Sequence, residues 1–190
     1  MMFGVEVEER AVGPSTARRN AYNMGRVFAF SDGVFAIAIT LLVLSIPIPS
    51  LREAATNGEI WSALINDSFG LIGLAISLYV VGMQWMVHHR LPRYVERIDV
   101  RVLWLNLLLL LFICLVPFST GVLVRFGDGA LALNVCATNV AAAQLAFSGL
   151  WLYLHRHRQL LDPVATPATP LMFARPLTPA AVFLVSMPLG

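Results

Sequence analysis

Arg26-Val-Phe-Ala-Phe-Ser-Asp-Gly-Val-Phe-Ala-Ile-Ala-Ile-Thr-Leu-Leu-Val-Leu-Ser-Ile46 is the stretch on which the reading of this chain turns. From Val27 onward it supplies about 20 residues, enough for a helix to cross a hydrocarbon layer of ~30 Å. It holds one acid, Asp32, and no base after Arg26. Apolar residues run without the two-residue alternation of a strand or the polar face of a soluble helix. Pro47 and Pro49 close it on the far side. Its odd feature is Ser31-Asp32 just inside the entry. An ionisable side chain in a membrane helix is costly and faces protein or water rather than lipid.

The remainder of the chain agrees with a membrane setting. Of 190 residues, 58% are hydrophobic and 13% charged, against ~25% charged in ordinary soluble domains. The net charge of +2 is too small to suggest nucleic acid as a partner. Cys114 and Cys136 both fall in apolar runs and read as small fillers. The fold class expected is an all-α, polytopic membrane helical bundle.

Residues 1–25 mix acids, arginines, Gly and Pro without a clear period and read as a mobile tail. Spans are expected at 26–46, 62–87, 102–124 and 130–154, with a polar loop at 47–60 and Pro117 kinking the third. A fifth apolar run begins near 171 or 177 and is short of a full crossing. Either that run lies at the membrane interface or, the favoured reading, the chain stops inside its fifth span, so that 125–190 holds span four and part of span five. All thirteen basic residues are Arg. Eleven lie in the N-terminal segment, the second-to-third connection and the fourth-to-fifth connection, and two in the opposite loops. That bias places the N-terminus and the second-to-third loop in the cytoplasm of a multi-pass plasma-membrane protein.

Residues three and four apart share a helix face. Ile37, Thr40, Leu41 and Leu44 form one stripe, with Asp32, Ala36, Thr40 and Val43 beside it. Repeated around an axis, the first stripe would make rings of branched aliphatics with one hydroxyl ring among them. Hydrophobic rings gate by dewetting. Periodicity alone leaves open an ordinary packing face. Asp32 could pair with Arg26, His88 or His89 as a structural cluster, serve a proton relay, or mark the helix start. His88-His89 is a poor metal site, because adjacent helical side chains diverge by about 100° and no further ligands stand at zinc spacing. Trp104 and Asn106 could hydrogen-bond across helices. No nucleophile elbow, phosphate loop or dinucleotide fingerprint is present, and no carbonyl filter of the Thr-Val-Gly-Tyr-Gly kind. Neither an enzyme nor a cofactor is expected.

The stretch Arg26-x-x-x-Phe30-Ser31-Asp32, with the pore-like run to Leu42, resembles the first helix of the TMEM175 family. Gln84-Trp85-Met-Val-His88-His89 resembles the end of that family's second span, and Leu103-Trp104-Leu-Asn106 with Leu115-Val-Pro117-Phe118 its third. The likeness covers residues 26–124. It implies a K⁺-permeable channel without the usual filter, built from six-span subunits as a homotetramer in the lipid bilayer, with the first helix lining the pore. On matched positions Ile37, Leu41 and Leu44 would be constriction rings and Thr40 the hydroxyl layer favouring K⁺. Arg26, Phe30, Ser31, Asp32, Trp85, His88, His89 and Asn106 would be the packing network that fixes the pore helix. The alternative is a small proton-linked transporter using Asp32 with His88 or His89.

Overall fold

The computed structural model describes residues 14–46, 55–66, 68–126 and 129–162. Within them the chain is helical: α1 (Pro14–Leu44), α2 (Asn57–Asn66), α3 (Ser68–His88), α4 (Val100–Arg125) and α5 (Ala130–Arg156). Single 3-10 turns follow α3 and α5, at Leu91–Arg93 and Arg158–Leu160. Among the described residues, four segments are long and apolar enough to cross a membrane: Met24–Leu44, Gly70–Arg93, Val100–Arg125 and Ala130–Arg156. The first four expected spans are therefore helices. The fifth apolar run lies outside the described residues.

Two boundaries differ from the expectation. The supposed irregular tail is helical from Pro14, continuous with the span behind it. Proline suits the first turn, where its missing N–H is no loss, and a helix already nucleated by an apolar span extends one residue at a time at little cost. The other difference is in the loop of 47–60. Asn57 already begins α2, because Thr56 and Glu59 form a capping box. The Thr56 backbone N–H donates to Glu59 Oε2 at 2.7 Å, and the Glu59 N–H to Thr56 Oγ1 at 3.3 Å. The expected second span thus takes in the end of α2 and all but the last residue of α3.

Helix α4 is the hub, packed by α1, α3 and α5. Lipid supplies no hydrophobic drive between helices, so close fit and interhelical hydrogen bonds hold them. Ala132, Ala137, Ala143 and Ala146 are buried on α5 and let it approach closely, with Phe147, Leu150 and Leu154 filling between them. Thr120 Oγ1 donates to Ser77 Oγ at 2.8 Å, tying α4 to α3. Asn139 Nδ2 donates to Ser119 Oγ at 3.2 Å, tying α5 to α4. Pro117 is buried, and the helix runs on through it.

At one end the arginine-rich connections meet. The backbone N–H groups of Glu96 and Arg97 donate to the Leu160 carbonyl at 2.9 and 3.2 Å, and the Asp162 N–H to that of Tyr94 at 2.9 Å. The α3–α4 loop and the end of α5 therefore share one side of the bundle, as the alternation of arginines requires. At the other end α1 closes on α4: a Cβ added to Gly121 would lie 3.5 Å from Ser45 Cβ. Only 22% of the span in α1 and in α3 is buried, against 56% in α5. The open faces of α1 and α3 are thus available to lipid or to other chains.

Asp99 caps α4, its Oδ1 accepting from the Val102 N–H at 2.8 Å, and its other oxygen accepts from the Tyr153 hydroxyl. Partial burial raises its carboxyl pKa, but the hydrogen bonds from Tyr153 and the backbone of Val102 and Arg101, with the nearby His157, outweigh that and hold it below the ordinary value. A depressed pKa contributes stability above the unfolded carboxylate value and loses it as pH falls toward the folded one. Asp99→Asn keeps a capping oxygen but removes the charge, and should therefore lower the melting temperature at neutral pH by the equivalent of about 0.5 kcal/mol. Melting curves of variant and wild type in detergent should converge below about pH 4; a constant gap would show that the charge is not involved.

Candidate functional site

Helix α1 has two faces of opposite character. Phe28, Ser31, Phe35, Ala38 and Leu42 recur at spacings of three and four and are all buried. The other side carries Ile37, Leu41 and Leu44, exposed at 61%, 43% and 78%, with Thr40 also exposed. The four stripe residues thus lie together on the surface of the single chain. Thr40 Oγ1 donates to the Ile37 carbonyl at 2.8 Å. Its hydroxyl proton is committed to the helix, which leaves oxygen lone pairs facing outward.

The buried face is gripped by a polar chain. His88, wholly buried, joins its Nε2 to Asn106 Oδ1 at 2.9 Å. Asn106 Nδ2 donates to Ser31 Oγ at 2.9 Å, and Ser31 Oγ donates to the Val27 carbonyl at 3.0 Å. The donors run one way only. Since Asn106 gives its amide N–H to Ser31, its carbonyl oxygen must accept, so His88 carries its proton on Nε2. Among the described residues, none hydrogen-bonds His88 Nδ1. The ring sits between Phe28 and Phe35, with centroids 5.8 and 5.3 Å away. Three helices, α1, α3 and α4, meet in these few atoms.

Asp32, the next residue, points about 100° further round and reaches the same end of α3 by another route. Its Oδ1 accepts from Trp85 Nε1 at 2.9 Å. Its Oδ2 lies 3.4 Å from His89 Nδ1, with the two side chains 37% and 56% exposed. Trp85 and His89 rings pack at 5.1 Å. Neighbouring pairs thus divide the work: Ser31 and His88 look inward to Asn106, while Asp32 and His89 meet at the edge.

Of the three partners expected for Asp32, the structure brings His89 to it. Arg26 is six residues away, about 240° around the helix, and lines a cleft beside α4 with Phe30. Phe30 is 58% exposed and stands on the open side of α1. His88 belongs to the inner chain. Trp85, which the resemblance implied only as a member of the packing network, is the hydrogen-bond donor to Asp32. Trp104 is exposed at 69%; Asn106 alone of that pair bridges helices. The sequence reading missed Thr120–Ser77 and Asn139–Ser119, whose only signal was a hydroxyl or amide in a run of apolar residues.

Asn106→Leu should leave the Ser31 and His88 groups without their shared partner and cost about 1–1.5 kcal/mol. For a chain of this size that is a fall of roughly 2–6 °C in Tm. The double variant with Ser31→Ala should fall little further than the worse single variant, since the two residues share one bond. Thermal melts in detergent read both; fully additive losses would show that the chain is not a unit.

Comparison with known proteins places this geometry among ion channels. The family profile "Endosomal/lysosomal potassium channel TMEM175" matches residues 26–117. A potassium channel of Streptomyces collinus is 40% identical over 178 residues, covering 87% of this chain and 84% of that protein. The endosomal/lysosomal proton channel TMEM175 of Gallus gallus is 31% identical over 74% of this chain but only 30% of its own length. The crystal structure of a lysosomal potassium-selective channel TMEM175 homolog from Chamaesiphon minutus superposes with a TM-score of 0.72 at 29% identity, covering 88% of this chain and 86% of that one.

Proposed function

This chain belongs to the TMEM175 family, and we propose that it assembles as a homotetramer in the cell membrane to form a K⁺-permeable cation channel whose pathway runs along the exposed stripe of α1. The observation that carries this reading is the placement of Ile37, Thr40, Leu41 and Leu44 together on the open face of a helix whose opposite face is fixed by hydrogen bonds. Four such faces around an axis would stack aliphatic rings at Ile37, Leu41 and Leu44. Such rings hold water and ions back until they widen. The Thr40 oxygens, with their protons turned to the helix, would offer a passing cation a ring of acceptors without permanent charge. The relatives named as potassium channels support K⁺ as the permeant ion. The arginine-rich end, with the α3–α4 loop and the end of α5, faces the cytoplasm on the positive-inside rule.

In this proposal Ser31, His88 and Asn106 with Asp32, Trp85 and His89 hold α1 at the rotation the pathway needs. His88 is enclosed, which suits a positioning role better than proton exchange with water. The Asp32–His89 pair is partly exposed and is where a proton-linked mechanism would act. Asp32→Asn separates the readings: loss of assembly with unchanged ion preference fits the channel, and loss of proton coupling in an intact oligomer fits the transporter.

Ile37→Asn should raise K⁺ conductance severalfold by wetting the ring; unchanged or lower conductance from an intact oligomer would argue against a hydrophobic gate. Thr40→Ala should weaken the preference for K⁺ over Na⁺. In a bilayer with KCl on one side and NaCl on the other its reversal potential should move toward zero, and an unmoved potential would remove the hydroxyl layer from the account.

A further inference from the structure

A cleft of about 740 Å³ opens between the start of the α1 span and α4, lined by Arg26, Phe30, Arg97, Leu103, Asn106 and Leu107 among others. Its size lies within the ~300–1,000 Å³ of small-molecule sites. Among the described residues that line it, the two charged ones are arginines. Phe30, Leu103 and Leu107 belong to membrane spans, while Arg97 stands in the loop just before α4. The cleft is therefore basic at the water boundary and greasy below it. Arg97 is held in place, since its backbone N–H and that of Glu96 both bond the Leu160 carbonyl. At its base is Asn106, the residue that joins Ser31 to His88.

We propose that this cleft binds the phosphate headgroup of an anionic phospholipid of the cytoplasmic leaflet, its acyl chains descending along Phe30, Leu103 and Leu107. Basic pockets between membrane helices on the cytoplasmic side take such headgroups, and a planar guanidinium matches a phosphate in two hydrogen bonds. Charge complementarity selects this occupant over a second copy of the chain paired through the same cleft, which would bring arginine against arginine. The acyl chains of a bound lipid would pass Asn106 on their way down, and so bear on the network that sets the rotation of α1. The leaflet assignment rests on the orientation proposed above; the binding itself needs no conduction, so its test stands apart from that of the channel.

The test is thermal unfolding of the full-length purified protein in neutral detergent at fixed ionic strength, titrated with dioctanoyl phosphatidylglycerol. Dioctanoyl phosphatidylcholine and inorganic phosphate serve as comparison ligands. Phosphatidylglycerol should raise Tm saturably, with little effect from the other two. Arg97→Gln, a change on an exposed loop, should weaken the apparent affinity about fivefold, and Arg97→Lys should recover part of it. Arg93→Gln removes the same charge from the same loop but does not line the cleft, and should titrate as wild type. Four outcomes would overturn the proposal. An equal effect of phosphate would mean a free-anion site. An equal effect of phosphatidylcholine would mean unspecific lipid. Arg93→Gln could lose as much as Arg97→Gln, meaning diffuse surface charge. Arg97→Gln could change the oligomer's mass while leaving the lipid effect intact, meaning that a neighbouring copy fills the cleft.

Discussion

The rotation of α1 about its own axis is the constraint on which the rest depends. A helix of apolar side chains in lipid has little to choose between its faces, because lipid tails are as apolar as leucine. Ser31 removes that freedom. Its hydroxyl accepts from Asn106, which His88 holds in place from α3, so that turning α1 would leave the buried Asn106 amide N–H without its acceptor. Asp32 adds a second grip about 100° round, through Trp85 and His89. Two attachment points on neighbouring residues define a direction as well as a contact.

From that fixed direction the remaining features of α1 follow by counting. Phe35, Ala38 and Leu42 are carried inward against the core, and Ile37, Leu41 and Leu44 are carried outward. Ile37 lies six residues past Ser31, about 240° away. The proposed pathway needs those side chains outward and needs them to stay there under the pull of a transmembrane field. A polar clamp at one end of the helix, with close packing against α4 at Gly121 at the other, is a physical means to that end. The branched side chains themselves carry no orientation signal strong enough to do it.

Much of the fold was legible in the sequence because membrane crossing is a demand on length and composition. The helices at 26–46, 102–124 and 130–154 needed only apolar runs and arginine-bearing ends. What was not legible came from local chemistry or from three-dimensional placement. The start of α1 at Pro14 and of α2 behind Thr56 depended on capping and helix extension, which hydropathy does not see. In the site, Ser31-Asp32 announced itself as polar residues in an apolar helix, and the pairing of Asp32 with His89 was among the options. The role of Trp85 as donor to Asp32, the place of Asn106 between Ser31 and His88, and the separation of Arg26 and Phe30 from that group all required knowing which way each helix faces. Spacing within one helix gives relative angles; it does not say what stands opposite.

The proposal that the outward stripe faces water rather than lipid is tested most directly by thiol modification of Ile37→Cys. Cys114 and Cys136 are first replaced, and K⁺ flux is followed in liposomes containing the purified oligomer. A water-soluble methanethiosulfonate should react at position 37 and stop the flux, and the same treatment of a cysteine at an outer position such as Leu145, on the exposed side of α5, should leave flux unchanged. If the residue at 37 reacts with a lipid-soluble maleimide but is untouched by the water-soluble reagent, with flux undiminished, then the stripe looks into the bilayer and the pathway lies elsewhere.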